Sequence, residues 1–502
     1  MTRRIVSIVA VLLLALGPSF SGDAAILTVT STDDSGTGTL RDVLANAANN
    51  DVIKFSLNYP ATIVLTSGEL LVTNNVTIAG PGAASLTISA NNNSRVFQVG
   101  TSNTATISGL TISGGVASGG GVGAGIYCDQ TTLTLLNCSL LNNGATGGST
   151  AAGAGLYANQ SQVTLAGCTV SGNTATGNGG GIYSNGSSLT VNNSTISNNS
   201  GLSGGAIYNA AGTTTLTNCL LYANAATHGG GVANVGVLGL ATLTINNCTF
   251  ASNTVSGTSA TGSQIYNGRQ LSNASAMVAN STIVSDKVAG NYSGGAVYND
   301  TGGSLTIGNS IVQAGAVEHT LLNPGSGTIT SAGYNLATDN GGGFLGGSGD
   351  QINTDPLLDI GTGPRDNGGP TYTIALNANS PAIDKGKRNT ISAIPAATDQ
   401  RGEPRPFDDP NVVNANGGDG SDIGAYEADL RLVSAAKASS DLYLYFTSIV
   451  GKTYQLQSRP SLGSGMWNPF GDTVSGNGGA ALLKAAGAFG NQVQFYQVLQ
   501  SP

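Results

Sequence analysis

Charge is what this sequence has least of. Asp, Glu, Lys and Arg make up 9% of its 502 residues and aromatics 5%, with one Trp, two His and three Met. Eighteen basic against 26 acidic side chains leave a net charge of −8. No basic field exists to hold phosphates, so nucleic acid is excluded as a partner. The composition also excludes a coiled coil or helical bundle, which would be rich in Ala, Glu, Lys and Leu. Beyond the first residues no apolar run is long enough to span a bilayer. The five cysteines (Cys128, Cys138, Cys168, Cys219, Cys248) form no CxxC pair and no Cys/His cluster with zinc spacing. Their odd number in a large chain does not describe a disulfide framework, and free thiols are expected.

What is abundant is glycine. Its 75 residues are about twice the usual share. Hydrophobic residues at 40% still fill a core if the backbone packs closely around small side chains. At the N-terminus, Arg3 and Arg4 precede an apolar run from Ile5 to Leu16, followed by small residues through Gly22 and Ala24. That order predicts a secretory signal peptide over residues 1–24, and hence an exported protein.

A repeat organises the middle of the chain. Seven copies align on Cys138, Cys168, Ser194, Cys219, Cys248, Ser281 and Ser310. The preceding residue is Asn in six copies and Gly167 in the other. Two residues after each stand Leu140, Val170, Ile196, Leu221, Phe250, Ile283 and Val312. Upstream, Ile126, Leu156, Ile182, Ile207, Val232, Ile265 and Val297 share one register. Each copy holds short alternating strands between Gly, Asn and Ser turns. Short strands at this period predict a solenoid, in which stacked copies bury a continuous apolar column. Asn at a repeated turn can form a ladder, and Gly admits tight turns at positive φ.

In these repeats the sequence resembles right-handed parallel β-helix proteins of the pectin-lyase-like kind, over about residues 60–345. The resemblance implies an all-β fold and supplies the handedness. Four of the cysteines then become small residues stacked at one position of successive coils. At the N-terminal end, Thr39-Leu40-Arg41-Asp42 reads as a capping box. Leu40, Val43, Leu44 and Ala47 share one helical face that would cover the open end of the column. Residues 28–55 resemble the CSLREA module, departing from its signature at Gly38–Asp42. After about residue 345 the repeat decays. Tyr372–Leu376, Ser380–Asp384, Thr398–Gly402 and Asp422–Glu427 resemble the choice-of-anchor Q domain, which implies an extracellular bacterial protein often held at the cell surface. Alternating segments at 441–446, 453–457 and 494–498, with Trp467 as a core residue, predict a small C-terminal β-sandwich-like domain. The expected organisation is a signal peptide over 1–24 and an N-terminal cap over 25–59. Repeats follow over 60–345, an anchor-Q-like segment over 346–428 and a β domain over 429–502.

Catalytic chemistry is sparse. Lyases on this scaffold need a base and carboxylates holding Ca²⁺, and hydrolases need converging carboxylates. Between residues 100 and 315 the only acids are Asp129, Asp286 and Asp300, and the only Lys or Arg are Arg269 and Lys287. They share no register position. Gly201–Gly205 fits G-x-S-x-G without a strand-to-helix elbow, and His228-Gly-Gly-Gly231 has no acidic partner to assign. Gly341–Gly346 fits G-x-G-x-x-G without a βαβ context.

Two features stand out. Tyr127, Tyr157, Tyr183, Tyr208, Tyr266 and Tyr298 share a register, with Ala233 interrupting. Each follows an inward aliphatic residue and so points outward. The row can contact glycan or a partner chain, or stiffen the sheet by mutual stacking. Asp408, Asp409, Asp419 and Asp422 lie in a Gly/Asn-rich loop that can hold calcium. The resulting expectation is an exported, monomeric, non-catalytic β-helix protein at the cell surface. It contacts a polysaccharide or a surface protein and requires no cofactor, with calcium optional. The alternative is a polysaccharide lyase or glycoside hydrolase with an atypical site.

Overall fold

The computed structural model describes residues 24–257, 259–285, 294–315, 319–361, 363–377, 379–408, 412–428, 432–448, 452–460, 466–476, 480–488 and 495–501. The signal-peptide expectation over 1–23, Asp286, Lys287 and Asp409 lie outside the described residues.

The alternating apolar positions form the strands of a parallel β-solenoid. In the coil that starts at Leu156, strands Leu156–Asn159, Gln162–Ala166, Thr169–Ser171 and Thr174–Ala175 follow one another around the axis. Each pairs in parallel with its equivalent in the next coil, or bridges to it. The first two strands of successive coils join one 20-stranded sheet and the third builds an 11-stranded sheet. Two-residue strands at the remaining corner make sheets of three and two strands. Side chains alternate, so Leu156, Ala158, Val163, Leu165 and Val170 point into one continuous buried core.

Turn chemistry sets the corners. Asn137, Asn193, Asn218, Asn247, Asn280 and Asn309 all have φ between 47° and 54°. This left-handed region is tolerated by Asn and Gly and excludes β-branched residues. The fully buried ladder occupies a different position, five residues after the aligned Cys or Ser. Asn143, Asn173, Asn199 and Asn224 each donate Nδ2 to the next Asn Oδ1 at 2.8–2.9 Å, ending at Asn253. The same Oδ1 atoms accept each preceding backbone N–H at 3.0 Å. Every polar group the corner buries is thereby paired.

The long sheet starts before the recognisable repeats. Ile26–Val29 pairs with Asp51–Phe55, which pairs with Val76–Ala79. The helix Leu40–Asn46 is capped by Thr39, which accepts from the Asp42 N–H. Its Leu40, Leu44 and Ala47 close the end of the core, with Val43 packed at the edge. Residues 346–428 hold few regular elements and pack on the outside of the 11-stranded sheet. Ile374, Leu376, Ile383, Ile423 and Tyr426 bury Ala251, Val284, Ile311 and Leu336 of the last coils. Leu432–Ala438, Asp441–Thr447 and Ala480–Ala485 form one antiparallel sheet and Thr453–Arg459, Asn468–Ser475 and Phe495–Ser501 a second, around Phe446, Tyr454, Leu456 and Leu483. Trp467 is not in that core: it is half-buried beneath the Arg459 guanidinium, 4.2 Å from the ring centre. A cation over the indole face replaces the apolar packing expected of the lone Trp.

Candidate binding face

The tyrosine register becomes a column on the outer face of the first strand of each coil. Parallel pairing runs from Leu71 through Gln98, Tyr127, Tyr157, Tyr183, Tyr208, Ala233, Tyr266 and Tyr298 to Leu322. Nine intervals of about 4.8 Å make a track about 43 Å long. The rings stack on one another. Tyr127, Tyr157, Tyr183 and Tyr208 have successive centroids 5.7, 5.0 and 5.1 Å apart with planes within 19°. Tyr266 and Tyr298 stack at 5.8 Å. Arg95 covers the free end of the longer run, its guanidinium 4.9 Å from the Tyr127 centroid, and it is tied to Glu69 at 2.5 Å.

This geometry constrains what the row can do. The faces that a sugar ring would stack on are occupied by neighbouring rings, so the row offers ring edges and hydroxyls. Tyr127, Tyr157, Tyr183, Tyr266 and Tyr298 remain partly exposed, whereas Tyr208 is buried with Ala210, Ala233 and Val235. Burial pushes the phenols of Tyr157, Tyr183 and Tyr208 up to about 12. They stay protonated and act as hydrogen-bond donors and acceptors, not as bases.

The break at Ala233 gathers ionisable groups. His228, from the same coil, places its ring 5.7 Å from Tyr266 at a 49° tilt. Its Nδ1 lies 2.7 Å from the Thr261 hydroxyl. Tyr266 donates its hydroxyl to Asp300 Oδ2 at 2.8 Å. Burial lowers the His228 pKa, and the nearby Asp300 charge works against that. Burial and the Asp300 carboxylate both raise the Tyr266 phenol. A Cβ at Gly268 would stand 2.8 Å from Asp300 Cβ and 2.9 Å from the Tyr266 hydroxyl, so only Gly admits this pairing. Arg269 lies at the same corner, with its stem against Gly302. Sequence reasoning left His228 without an acidic neighbour. The signal was present: Asp300 stands two residues after Tyr298, on the same face one coil beyond Tyr266. Asp129 does not join this group; its carboxylate accepts from Asn159 Nδ2 at 2.6 Å.

The acidic loop divides. Asp408 is exposed. Asp419 lies 3.3 Å from Arg388 Nε and accepts from the Ser421 N–H. Asp422 is fully buried, accepting from the Asp384 N–H at 2.8 Å and from the Ala428 N–H at 2.5 Å. Among the described residues no three His, Cys, Asp or Glu side chains are grouped to hold a metal. The motif residues around Asp422 form a buried charge network. Arg405 pairs with Glu427 at 2.9 Å and Arg401 with Asp399 at 2.7 Å. Asn309 Nδ2 donates to the Asp422 carbonyl, which fastens this network to the solenoid. The five cysteines are free and buried. Burial pushes the Cys138 thiol up to about 12 and Cys128 to about 11, which leaves both unreactive as nucleophiles.

A family profile described as "Right handed beta helix region" matches residues 124–312. The solenoid is a right-handed parallel β-helix. No curated protein matches the sequence. Among solved structures the chain is similar to the crystal structure of pectate lyase Pel9A. The two share 12% sequence identity, with 81% of this chain and 96% of that chain covered and a TM-score of 0.44. No helix among the described residues is long and apolar enough to cross a membrane.

Proposed function

We propose that this chain is an exported, non-catalytic contact protein of the cell surface. It presents the tyrosine-lined side of its β-helix to an extended partner, either a polysaccharide or a surface protein. The observation that carries this reading is the column from Tyr127 to Tyr298, whose ring edges are partly exposed in each coil except at the buried Tyr208 and at Ala233. A linear partner lying along the axis meets a tyrosine edge at most coils, and many weak contacts add up. Export is supported by Arg3, Arg4 and the apolar run that follows them. Surface display is supported by the resemblance of residues 355–427 to anchor-associated sequences. The reading requires no metal; calcium at the Asp408–Asp422 loop would be an addition to it.

Purified protein incubated with neutral and acidic polysaccharides, with and without calcium, tests this. Co-sedimentation that weakens in the Tyr157→Phe/Tyr183→Phe double variant, with no new reducing ends, is the expected result. Retention unchanged by removal of both hydroxyls would reject the tyrosine column as the contact.

A second reading, an atypical polysaccharide lyase or glycoside hydrolase, is favoured by the meeting of His228, Tyr266 and Asp300. In it a neutral His228 takes a proton and the Tyr266–Asp300 pair positions the substrate. New reducing ends lost in His228→Ala would establish that reading over the first.

A further inference from the structure

The second strand of each coil carries an outer face of a different kind. Thr77, Thr106, Thr134, Thr164, Thr190, Thr215 and Thr244 pair successively in one unbroken column. Two residues upstream on the same face, a second column runs Thr104, Thr132, Gln162, Ser188, Thr213 and Thr242. Strand spacing sets a repeat of about 4.8 Å along the axis, and two residues of strand set about 6.6 Å across it. The register does not slip over these coils, so the array is a two-dimensional lattice of hydroxyls with one gap, at Gln162. The adjoining outward position is Ser108, Leu136, Ala166, Asn192, Thr217 and Asn246. None of these three columns holds an ionised side chain, although the chain as a whole carries −8.

The threonine column is interrupted where the chain covers itself and resumes at Thr306 and Thr330, while the second column continues through Ser275, Ser304 and Thr328. Past Thr244 the column continues as Met277. Met277 and Ala279 there pack against Ile391 and Ile394. Asn246 donates Nδ2 to the Pro395 carbonyl. The covered part of the face is apolar, and the open part is hydroxyl. Both columns stay partly exposed from Thr104 to Thr244.

We propose that this open threonine face binds crystalline water, the prism surface of ice. Each Thr sets a methyl beside a hydroxyl. The methyl restricts the orientation of first-shell water, and the hydroxyl both donates to and accepts from it. Held in a regular array at these spacings, the ordered water offers a layer onto which the crystal can grow. Charge complementarity favours the same partner. An ionised side chain would have to surrender its hydration at an uncharged lattice, and the face has none. The proposal concerns a different face from the tyrosine column and does not rest on it.

The test is partition of the purified full chain into a growing ice hemisphere, together with thermal hysteresis. Wild type is expected to enter the ice and to lower the freezing point below the melting point. Thr164→Tyr/Thr190→Tyr should lose most of both signals, because two bulky rings break the lattice. Ser171→Tyr, on the other sheet, should retain both. Circular dichroism and thermal melts establish that each variant is folded. Exclusion of wild type from ice, with no hysteresis, overturns the proposal whatever the variants do. Pelleting with crystalline polysaccharide that is sensitive to Thr164 and Thr190, without ice activity, also overturns it and assigns the face to that polymer.

Discussion

The Tyr266 hydroxyl donates to the Asp300 carboxylate across adjacent coils at 2.8 Å. It joins the lower end of the tyrosine column to an acid on the same face one coil beyond. Tyr266→Phe should lower stability by about 1–2 kcal/mol, the ordinary loss for a part-buried hydrogen bond to a charged group. Asp300→Asn retains an acceptor and should lose less. Burial and the Asp300 carboxylate raise the Tyr266 phenol, so in a spectrophotometric alkaline titration Asp300→Asn should shift one tyrosine component to lower pH.

The break in the column is complementary to one histidine. Ala233 stands where the neighbouring coils have tyrosine, and His228 brings a ring from that same coil to Tyr266. Ala233→Tyr alone should destabilise the protein, because two rings then compete for one space. Adding His228→Ala should recover most of the loss. Melting temperatures of the two single variants and the double variant give the coupling directly. Additive effects would show that the rings do not share a space.

The buried asparagine ladder is a stronger dependence. Asn199 accepts from both the backbone and side chain of Asn173 and donates to Asn224 and the Val170 carbonyl. Asn199→Ala leaves several of these groups unpaired inside the corner, each worth about 1–3 kcal/mol. Chemical denaturation should show a loss of more than about 2 kcal/mol. Asn193→Ala, at an exposed corner position, should show the smaller strain of a left-handed φ without Asn or Gly.

The two ends should respond to pH in opposite senses. Burial works against the Asp34 charge, but hydrogen bonds from Ser67, Arg41 and Thr66 prevail and hold its carboxyl at about 2. A depressed folded-state value gives stability above the unfolded value and loses it as pH falls toward 2. Around Glu427, burial prevails over the Arg405 charge and raises the carboxyl to about 7. A raised value gives stability at low pH that fades as pH rises from about 4.5 toward 7. Hydrogen-exchange protection, taken relative to the intrinsic rate at each pH, should accordingly fall in residues 34–46 on acidification and in the described residues of 399–428 on the approach to neutral pH.

Much of the solenoid was legible in the sequence. The inward register from Ile126 to Val297, the outward tyrosines and the helical cap at Leu40, Leu44 and Ala47 follow from side-chain period alone, because period 2 and period 3.6 place residues without reference to distant contacts. The asparagine ladder was also readable, five residues after each of the first five aligned Cys or Ser. It was hidden behind the more conspicuous Asn at the preceding corner, which sets the left-handed backbone in six coils and bonds to its counterpart across coils at Asn193–Asn218 and Asn280–Asn309.

What tertiary structure decided is which groups from different coils meet. His228 and Asp300 are 72 positions apart in a sequence with few charges, and neither is notable by itself. Stacking brings them to Tyr266, because the coils differ in length and only the closed register shows which residues are neighbours. The same holds for the outer faces. Leu220, Tyr222, Ala251, Val284 and Ile311 break the hydroxyl pattern at outward positions of the 11-stranded sheet. The sequence by itself determined the period, the turns and the core. Only the folded chain showed that those apolar positions serve residues 346–428, since burial on the outside of a solenoid depends on what returns to cover it.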